Sequence, residues 1–232
     1  MCGRKTLTMS KKAIIEELIV DEWQVEDYSP NYNIAPTQNS LVMVQDKGSN
    51  IIKEMRWGLI PEWSKSELHG SKMINARLET ITTKPSFKNL ITQNRCIVLS
   101  NGYYEWKQDG NIKVPFFIHK RNRGLMLFAG LWTVWSVSSK KIFTYTILTT
   151  KAQGDVSEIH NRMPILLDKP KVEMWTNLDN QFSEIQQELS KFKNRFSYYQ
   201  VSDFVNSPKN NSMECIAPFK APVNLNLFES NQ

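Results

Sequence analysis

The chain has 232 residues and a mass of 27.0 kDa, enough for one large hydrophobic core or two small ones. Its formal net charge of +6 suits a polyanionic partner such as nucleic acid but does not require one. The longest apolar run, Leu125 to Trp132, is far shorter than the roughly 20 residues that cross a bilayer. No apolar segment follows the charged start as a secretory signal would require. We therefore expect a cytoplasmic protein with no membrane partner.

The cysteines are the next constraint. Cys2, Cys96 and Cys215 are odd in number, widely separated, and not in the spacing of metal ligands. This pattern predicts free thiols in a reducing compartment. It gives no reason to expect a metal or a cofactor.

The first predicted helix begins after Ser10, a residue type that caps helix N-termini. Five apolar residues at helical spacing form one face of it: Ala13, Ile14, Ile15, Leu18 and Ile19.

A series of short β-type runs follows, rich in β-branched and aromatic residues. These runs are Leu41 to Val44, Ile51 to Trp57, Cys96 to Trp106, Val114 to His119, Leu125 to Trp132 and Phe143 to Thr149. Asp109-Gly110 lies between two of them and predicts a hairpin.

Two helices are predicted in the last third of the chain, at Lys169 to Thr176 and Asn180 to Phe192, before a final β-type run at Tyr198 to Val201. No repeat or change in composition divides the chain. We predict a single domain over residues 1–218, followed by a poorly ordered tail over 219–232. The expected class is α+β, with a mostly antiparallel sheet or partly closed β-barrel flanked by helices.

Residue 2 carries the most distinctive chemistry. Removal of Met1 would leave Cys2 with its α-amine and thiol on adjacent carbons. Such an aminothiol condenses with an aldehyde to an imine, and the thiol then closes onto the imine carbon to form a thiazolidine. An interior cysteine cannot do this.

Three other polar residues stand in segments where chemistry is plausible. Glu105 lies between Tyr104 and Trp106. If it is enclosed, its pKa would be raised and it could act as general acid and base, but its position by itself is more typical of a surface strand. His160 is one of three histidines and is compatible with a catalytic or a structural role. Asn75 could simply cap a turn.

Taken together, these segments match an ordered set of motifs. They are Met1-Cys2-Gly3-Arg4, Tyr32-Asn33-Ile34-Ala35-Pro36, Arg56-Trp57-Gly58-Leu59-Ile60-Pro61-Glu62-Trp63, Ile74-Asn75-Ala76-Arg77-Leu78-Glu79-Thr80, Gly102-Tyr103-Tyr104-Glu105-Trp106-Lys107, Pro115-Phe116-Phe117-Ile118, Phe128-Ala129-Gly130-Leu131-Trp132, Thr149-Thr150 and Ile159-His160-Asn161-Arg162-Met163-Pro164. On these residues the chain resembles the SRAP family (SOS response-associated peptidase), the abasic-site processing proteins. It departs from the family pattern in the loop Ser64 to Lys72 and in the asparagine-rich segment Asn206 to Ser212.

The resemblance implies covalent linkage of Cys2 to the ring-opened abasic deoxyribose in single-stranded DNA. It implies that Glu105 moves a proton between the ring oxygen and the C1 hydroxyl of the sugar. By the same resemblance, His160 holds or protonates the C4 hydroxyl, and Asn75 fixes the aminothiol.

The resemblance also suggests DNA-binding residues. Arg4, Arg77 and Arg162 each follow a site residue by two positions, so we expect them to lie near the site and bind phosphates. Aromatic stacking on bases is expected of Trp63, whereas Trp57 fits stacking and a core position equally well. Two further residues match a motif that lines the family's site, Asn33 and Pro36.

The expected protein is a monomer that associates with the nucleoid when it is bound to DNA. Met1 would be removed either by the protein itself, with lyase-like and peptidase activities sharing one site, or by a general aminopeptidase.

Two alternatives remain open at this stage. One is an N-terminal-nucleophile amidohydrolase, because Met-Cys-Gly also opens glutamine amidotransferases. The other is a non-enzymatic nucleic-acid-binding module in which Cys2 is incidental.

Overall fold

A computed structural model describes residues 2–191 and 196–220. Its strands are β1 Lys5–Leu7, β2 Glu22–Trp23, β3 Asn31–Ile34, β4 Asn39–Asp46, β5 Ser49–Trp57, β6 Asn75–Arg77, β7 Arg95–Ser100, β8 Gly102–Asp109, β9 Ile112–Lys120, β10 Met126–Val137, β11 Lys140–Lys151, β12 Arg162–Pro164, β13 Leu166–Leu167 and β14 Phe196–Gln200. The α-helices are α1 Lys11–Glu17, α2 Leu90–Gln93, α3 Lys169–Thr176 and α4 Phe182–Ser190. Short 3₁₀ segments span Glu67–Lys72, Gly154–Glu158, Asp203–Asn206 and Met213–Ile216.

Five of these strands close into a barrel. Neighbours pair in the order β11, β10, β7, β4 and β5, and a parallel pairing of β5 with β11 joins the two ends. The strands β14, β9, β8, β1 and β3 form a second, antiparallel sheet. The α+β class with a partly closed, mostly antiparallel barrel is therefore confirmed. Closure removes the exposed edges that an open sheet would carry.

Large aromatic side chains fill the barrel and its flanks. Trp57 is fully buried, donates its indole N–H to the carbonyl of Ile74 at 2.9 Å, and stacks on Tyr145 at a centroid distance of 6.4 Å. Trp175 of α3 is also buried and donates to the carbonyl of Cys96 on β7 at 2.9 Å, which fixes the helix against the barrel. These contacts assign Trp57 to the core.

The predicted helices are present, with changes at their ends. The Ser10 side chain caps α1 by accepting from the amide of Ala13 at 3.2 Å. Only Ile14 of the predicted apolar face is buried within α1, and Ile19 is 71% exposed, because the helix ends after two turns. Helix α3 has its predicted bounds, and α4 is shorter than the predicted segment, whose last residue, Phe192, lies outside the described residues.

One predicted strand is wrong in a way that matters for the site. The run Cys96 to Trp106 is two strands, β7 in the barrel and β8 in the second sheet, divided at Asn101. The Asn101 side chain accepts from the amide of Thr8 at 3.0 Å and donates to its hydroxyl at 2.6 Å. These bonds hold the crossing point, and β8 then runs beside β1. The predicted hairpin at Asp109-Gly110 joins β8 to β9.

None of the helices in the described ranges is long and apolar enough to cross a membrane. Most of the predicted tail, residues 221–232, lies outside the described residues. The domain boundary at residue 218 stays a prediction.

Candidate active site

Cys2 lies three residues before the start of β1 and is fully buried. The Asn75 side chain donates from Nδ2 to the Cys2 carbonyl oxygen at 2.8 Å. Asn75 begins β6, which is held in place because it pairs in parallel with β11 at Ile147. Two residues far apart in sequence are therefore joined directly, and the start of the chain is fixed from the barrel side.

Glu105 approaches the same point from the second sheet. Strand β8 pairs with β1 through Lys5 and Tyr103, and the amide of Tyr104 donates to the Arg4 carbonyl at 2.9 Å. Glu105 is only 3% exposed, and its burial raises its pKa to about 7. Its negative charge adds to burial in raising the pKa of the Cys2 thiol. A carboxyl that titrates near neutrality can both donate and accept a proton at the pH of a cell.

Three further predicted residues, Arg77, Arg162 and His160, lie near Thr149 of β11. Strand β6 pairs with β11 so that Arg77 lies opposite Thr149. On the other side of β11, β12 brings Arg162, whose Nη2 donates to the Thr149 carbonyl at 2.7 Å. His160 lies two residues before β12, and its Nδ1 accepts from the Arg162 amide at 2.9 Å. Burial lowers the pKa of its ring.

The two arginines beside Thr149 differ in their surroundings. Arg77 is exposed. Arg162 forms a two-point ion pair with Glu79, at 2.6 Å and 2.9 Å, and this pair lowers the pKa of the Glu79 carboxyl. Arg77 is therefore immediately available to an anion, whereas a phosphate at Arg162 would compete with Glu79.

The structure places Arg4 elsewhere. Its guanidinium is nearly buried and donates to Asn33 Oδ1 at 2.6 Å and to the Val205 carbonyl at 2.8 Å. Asn33 in turn donates to the carbonyls of Val205, Ser207 and Asn210. Arg4 and Asn33 thus tie β1 and β3 to the C-terminal segment, and Arg4 does not join Arg77 and Arg162. The expectation of three converging arginines holds only for Arg77 and Arg162, because strand geometry turns the Arg4 side chain into this internal network.

The two predicted DNA-binding tryptophans and Pro36 lie in three different environments. Trp57 has no exposed surface on which a base could stack, whereas Trp63 is 63% exposed. The loop of Trp63 lies against β10, where Glu62 accepts from Thr133, and Thr133 pairs with Thr144 of β11. Thr144 is roughly 17 Å along β11 from Thr149. Pro36 is half-buried in the turn between β3 and β4.

Sequence reasoning missed one buried group of this site, Lys5. It is fully buried on β1, and its ammonium donates to Ser40 Oγ at 2.5 Å and to the Leu99 carbonyl at 2.9 Å. The only signal in the sequence was a lysine at the start of a short β-type segment. The alternation of apolar and polar residues does not show that both faces of β1 are covered. In the described part of the chain, no group of three or more His, Cys, Asp or Glu side chains is arranged to hold a metal ion.

These observations define an α+β protein in which a closed barrel and an attached sheet enclose a second-residue cysteine near a carboxyl of raised pKa. The family model described as SOS response associated peptidase (SRAP) matches residues 1–208. The chain belongs to the SRAP family.

Named relatives and solved structures agree with this assignment. The abasic site processing protein YoqW of Bacillus subtilis is 42% identical, over 93% of this chain and 99% of its own length. The abasic site processing protein HMCES of Gallus gallus is 33% identical, over 87% of this chain and 70% of its own. A crystal structure of a Bacteroides thetaiotaomicron protein superposes with a TM-score of 0.76 at 26% identity, covering 94% of this chain and 100% of the other.

Proposed function

We propose that this protein processes abasic sites in DNA by forming a covalent thiazolidine between Cys2 and the ring-opened abasic deoxyribose of a single strand. The observation that carries the proposal is the joining of Cys2, Asn75 and Glu105 at one buried point from three separate strands or their ends. The names of relatives at 42% and 33% identity support the choice of substrate.

The chemistry proceeds in two balanced steps once Met1 is removed. The neutral α-amine of Cys2 adds to the C1 aldehyde and water leaves, which gives an imine. The Cys2 sulfur then bonds to the imine carbon, and the thiol proton passes to the nitrogen, which closes the five-membered ring. Intact mass of the purified protein reports whether Met1 has been removed. The same thiol and carboxyl supply a means of self-cleavage, and a general aminopeptidase would serve equally.

Glu105 can both accept and donate the protons that ring opening needs. The abasic sugar is mostly a closed hemiacetal, so a proton must leave the C1 hydroxyl while another reaches the ring oxygen. With a pKa of about 7, Glu105 is present in both protonation states near neutrality. Proton transfer by a positioned side chain contributes about 100-fold to 10,000-fold in rate.

The other site residues hold the reactants. Asn75 fixes the backbone of Cys2, and His160 holds or protonates the C4 hydroxyl of the opened sugar. Arg77 and Arg162 bind phosphates on either side of the bound nucleotide, and Trp63 stacks on a base farther along the strand. The protein acts as a monomer at the nucleoid and needs no cofactor.

The test uses an oligonucleotide with one abasic site and two variants of residue 2. The unchanged protein is expected to give an adduct that survives denaturing electrophoresis. Without reduction, Cys2→Ala and Cys2→Ser should both give none. After borohydride reduction both should give one, because each keeps the α-amine that forms the imine but neither can close the stable thiazolidine ring.

Two outcomes would overturn the proposal. One is an unreduced adduct that persists in Cys2→Ala. The other is the absence of any adduct from protein whose mass shows that Met1 has been removed. A version with one extra residue before Cys2 is the matched control, since it keeps the thiol but blocks the aminothiol.

A further inference from the structure

The guanidinium of Arg162 has no donor left for a ligand as long as Glu79 is in place. Its Nη1 and Nη2 donate to the two carboxylate oxygens of Glu79 at 2.6 Å and 2.9 Å. Nη2 also donates to the carbonyl and hydroxyl oxygens of Thr149, at 2.7 Å and 3.2 Å. Nε is buried and has no hydrogen-bond partner among the described residues. Each nitrogen is therefore either bonded within the protein or buried.

Exposure shows which member of this ion pair a ligand meets first. The Arg162 side chain is only 14% exposed, whereas that of Glu79 is 48% exposed. The two carboxylate oxygens take the two-point position that a phosphate takes on a guanidinium. The bonds from Arg162 lower the pKa of the Glu79 carboxyl, and the backbone amides of Glu79 and Lys151 add to this effect, so the carboxyl is held there as an anion. A phosphate that binds Arg162 end-on must therefore displace Glu79.

Arg77 provides the internal comparison. It lies opposite Thr149 on the neighbouring strand β6, it is exposed, and within the described ranges it is in no ion pair. A phosphate gains the charge of Arg77 at once, but it gains the charge of Arg162 only after an exchange. Two cations at the same point of β11 thus differ in what their phosphate contacts cost.

We propose that Glu79 is a specificity-determining residue, which occupies the phosphate position of Arg162 and so weakens the binding of undamaged single strands. Breaking the ion pair offsets the new phosphate contact for every strand, damaged or not. A strand with an abasic site is nevertheless retained, because its capture by Cys2 is covalent and does not depend on the strength of that contact. The inference rests on the proposed function for DNA as the ligand.

The first test is the affinity of Glu79→Gln for a fluorescein-labelled single strand without an abasic site, measured by fluorescence anisotropy. The amide keeps the shape of the side chain but removes its charge, so Arg162 is released and binding should become about fivefold tighter. The slope of log affinity against log salt should steepen by about 0.7, because one more phosphate is neutralised by a previously unpaired cation. Asp46→Asn removes the same charge from the exposed end of the β4–β5 hairpin and should leave both quantities nearly unchanged.

Two further variants separate the ion pair from the net charge. Glu79→Asp keeps the charge but is one methylene too short for the two-point contact, so it should tighten binding by a smaller factor, even if Glu79→Gln does not fold. In a protein that also carries Arg162→Gln, the Glu79→Gln change should give no gain, because no cation is left to release.

Crosslinking to an abasic strand, with protein in excess, distinguishes exchange from a structural role. Glu79→Gln should lower the protein concentration that half-saturates crosslinking and leave the maximal rate unchanged. The inference would be overturned by a lower maximal rate, or by folded Glu79→Gln and Glu79→Asp that bind the undamaged strand no more tightly than the unchanged protein. If the gain in affinity is found but no adduct forms, the proposed function fails while this inference stands.

Discussion

Glu105 links the chemistry of the site to the stability of the fold. The sequence left it open whether this glutamate is enclosed or on a surface strand, and the structure encloses it. Its pKa rises from 4.5 to about 7 because burial penalises the charged form. Between pH 4.5 and 7, the Glu105 carboxyl is therefore largely protonated in the folded protein and largely ionised in the unfolded chain.

The sign of the effect on stability follows from this difference. Because the folded state binds more protons, the free energy of unfolding falls as pH rises from 4.5 toward 7. Glu105→Gln stays neutral at every pH. It should match the unchanged protein near pH 4 and exceed it by about 3 kcal/mol at pH 8. Urea unfolding at the two pH values measures the free energy of unfolding of both proteins. A difference between the two proteins that is the same at both pH values would contradict the prediction.

At the scale of elements, the crossing from β7 to β8 explains how a continuous β-type run supplies two sheets. Asn101-Gly102 is a turn-type pair inside this run, but so short a signal does not show that the chain passes from one sheet to another there. The break depends on bonds from Asn101 to Thr8, which is distant in sequence. Likewise, the asparagine-rich segment Asn206 to Ser212 is held by a distant residue, Asn33, which donates to the carbonyls of Ser207 and Asn210.

A glycine pair fixes the loop that carries Trp63. Gly58 follows β5 with φ of +116°, and a Cβ there would lie 2.4 Å from the carbonyl oxygen of Gly70. Gly58→Ala should cost about 3 kcal/mol or more in the free energy of unfolding, since it combines backbone strain with a backbone clash. Thermal and urea unfolding check this.

The matched control is Gly110→Ala in the hairpin between β8 and β9. Gly110 also has a positive φ, of +55°, but nothing lies within 4 Å of the added Cβ. The expected cost is about 1–2 kcal/mol, from the backbone alone. An equal loss at the two positions would show that the approach of Gly70 does not matter.

At the scale of the whole molecule, strand order decides which cationic side chains are brought together. The net charge of +6 indicates a polyanionic partner without locating it. The parallel pairing of β6 with β11 and the antiparallel pairing of β12 place Arg77 and Arg162 on either side of Thr149. Phosphate contacts at this point should therefore govern the salt dependence of binding.

Arg77→Ala should lower the slope of log affinity against log salt by about 0.7 for a single strand without an abasic site. Lys141→Ala removes the same charge from the far end of β11, roughly 26 Å from Thr149, and should leave the slope unchanged. Fluorescence anisotropy over a series of salt concentrations measures both. Equal slopes for all three proteins would exclude a phosphate contact at Arg77.

The sequence by itself determined the fold class, the hairpin at Asp109-Gly110 and the bounds of α3, because these depend on residue type and local pattern. Only the tertiary structure decided the burial of Glu105, the turning of Arg4 into an internal network, the placement of Trp57 in the core and the position of Lys5. Each of these depends on which strands lie side by side. Strand pairing between residues as distant as Asn75 and Ile147 is set by the closure of the whole barrel, which no local pattern encodes.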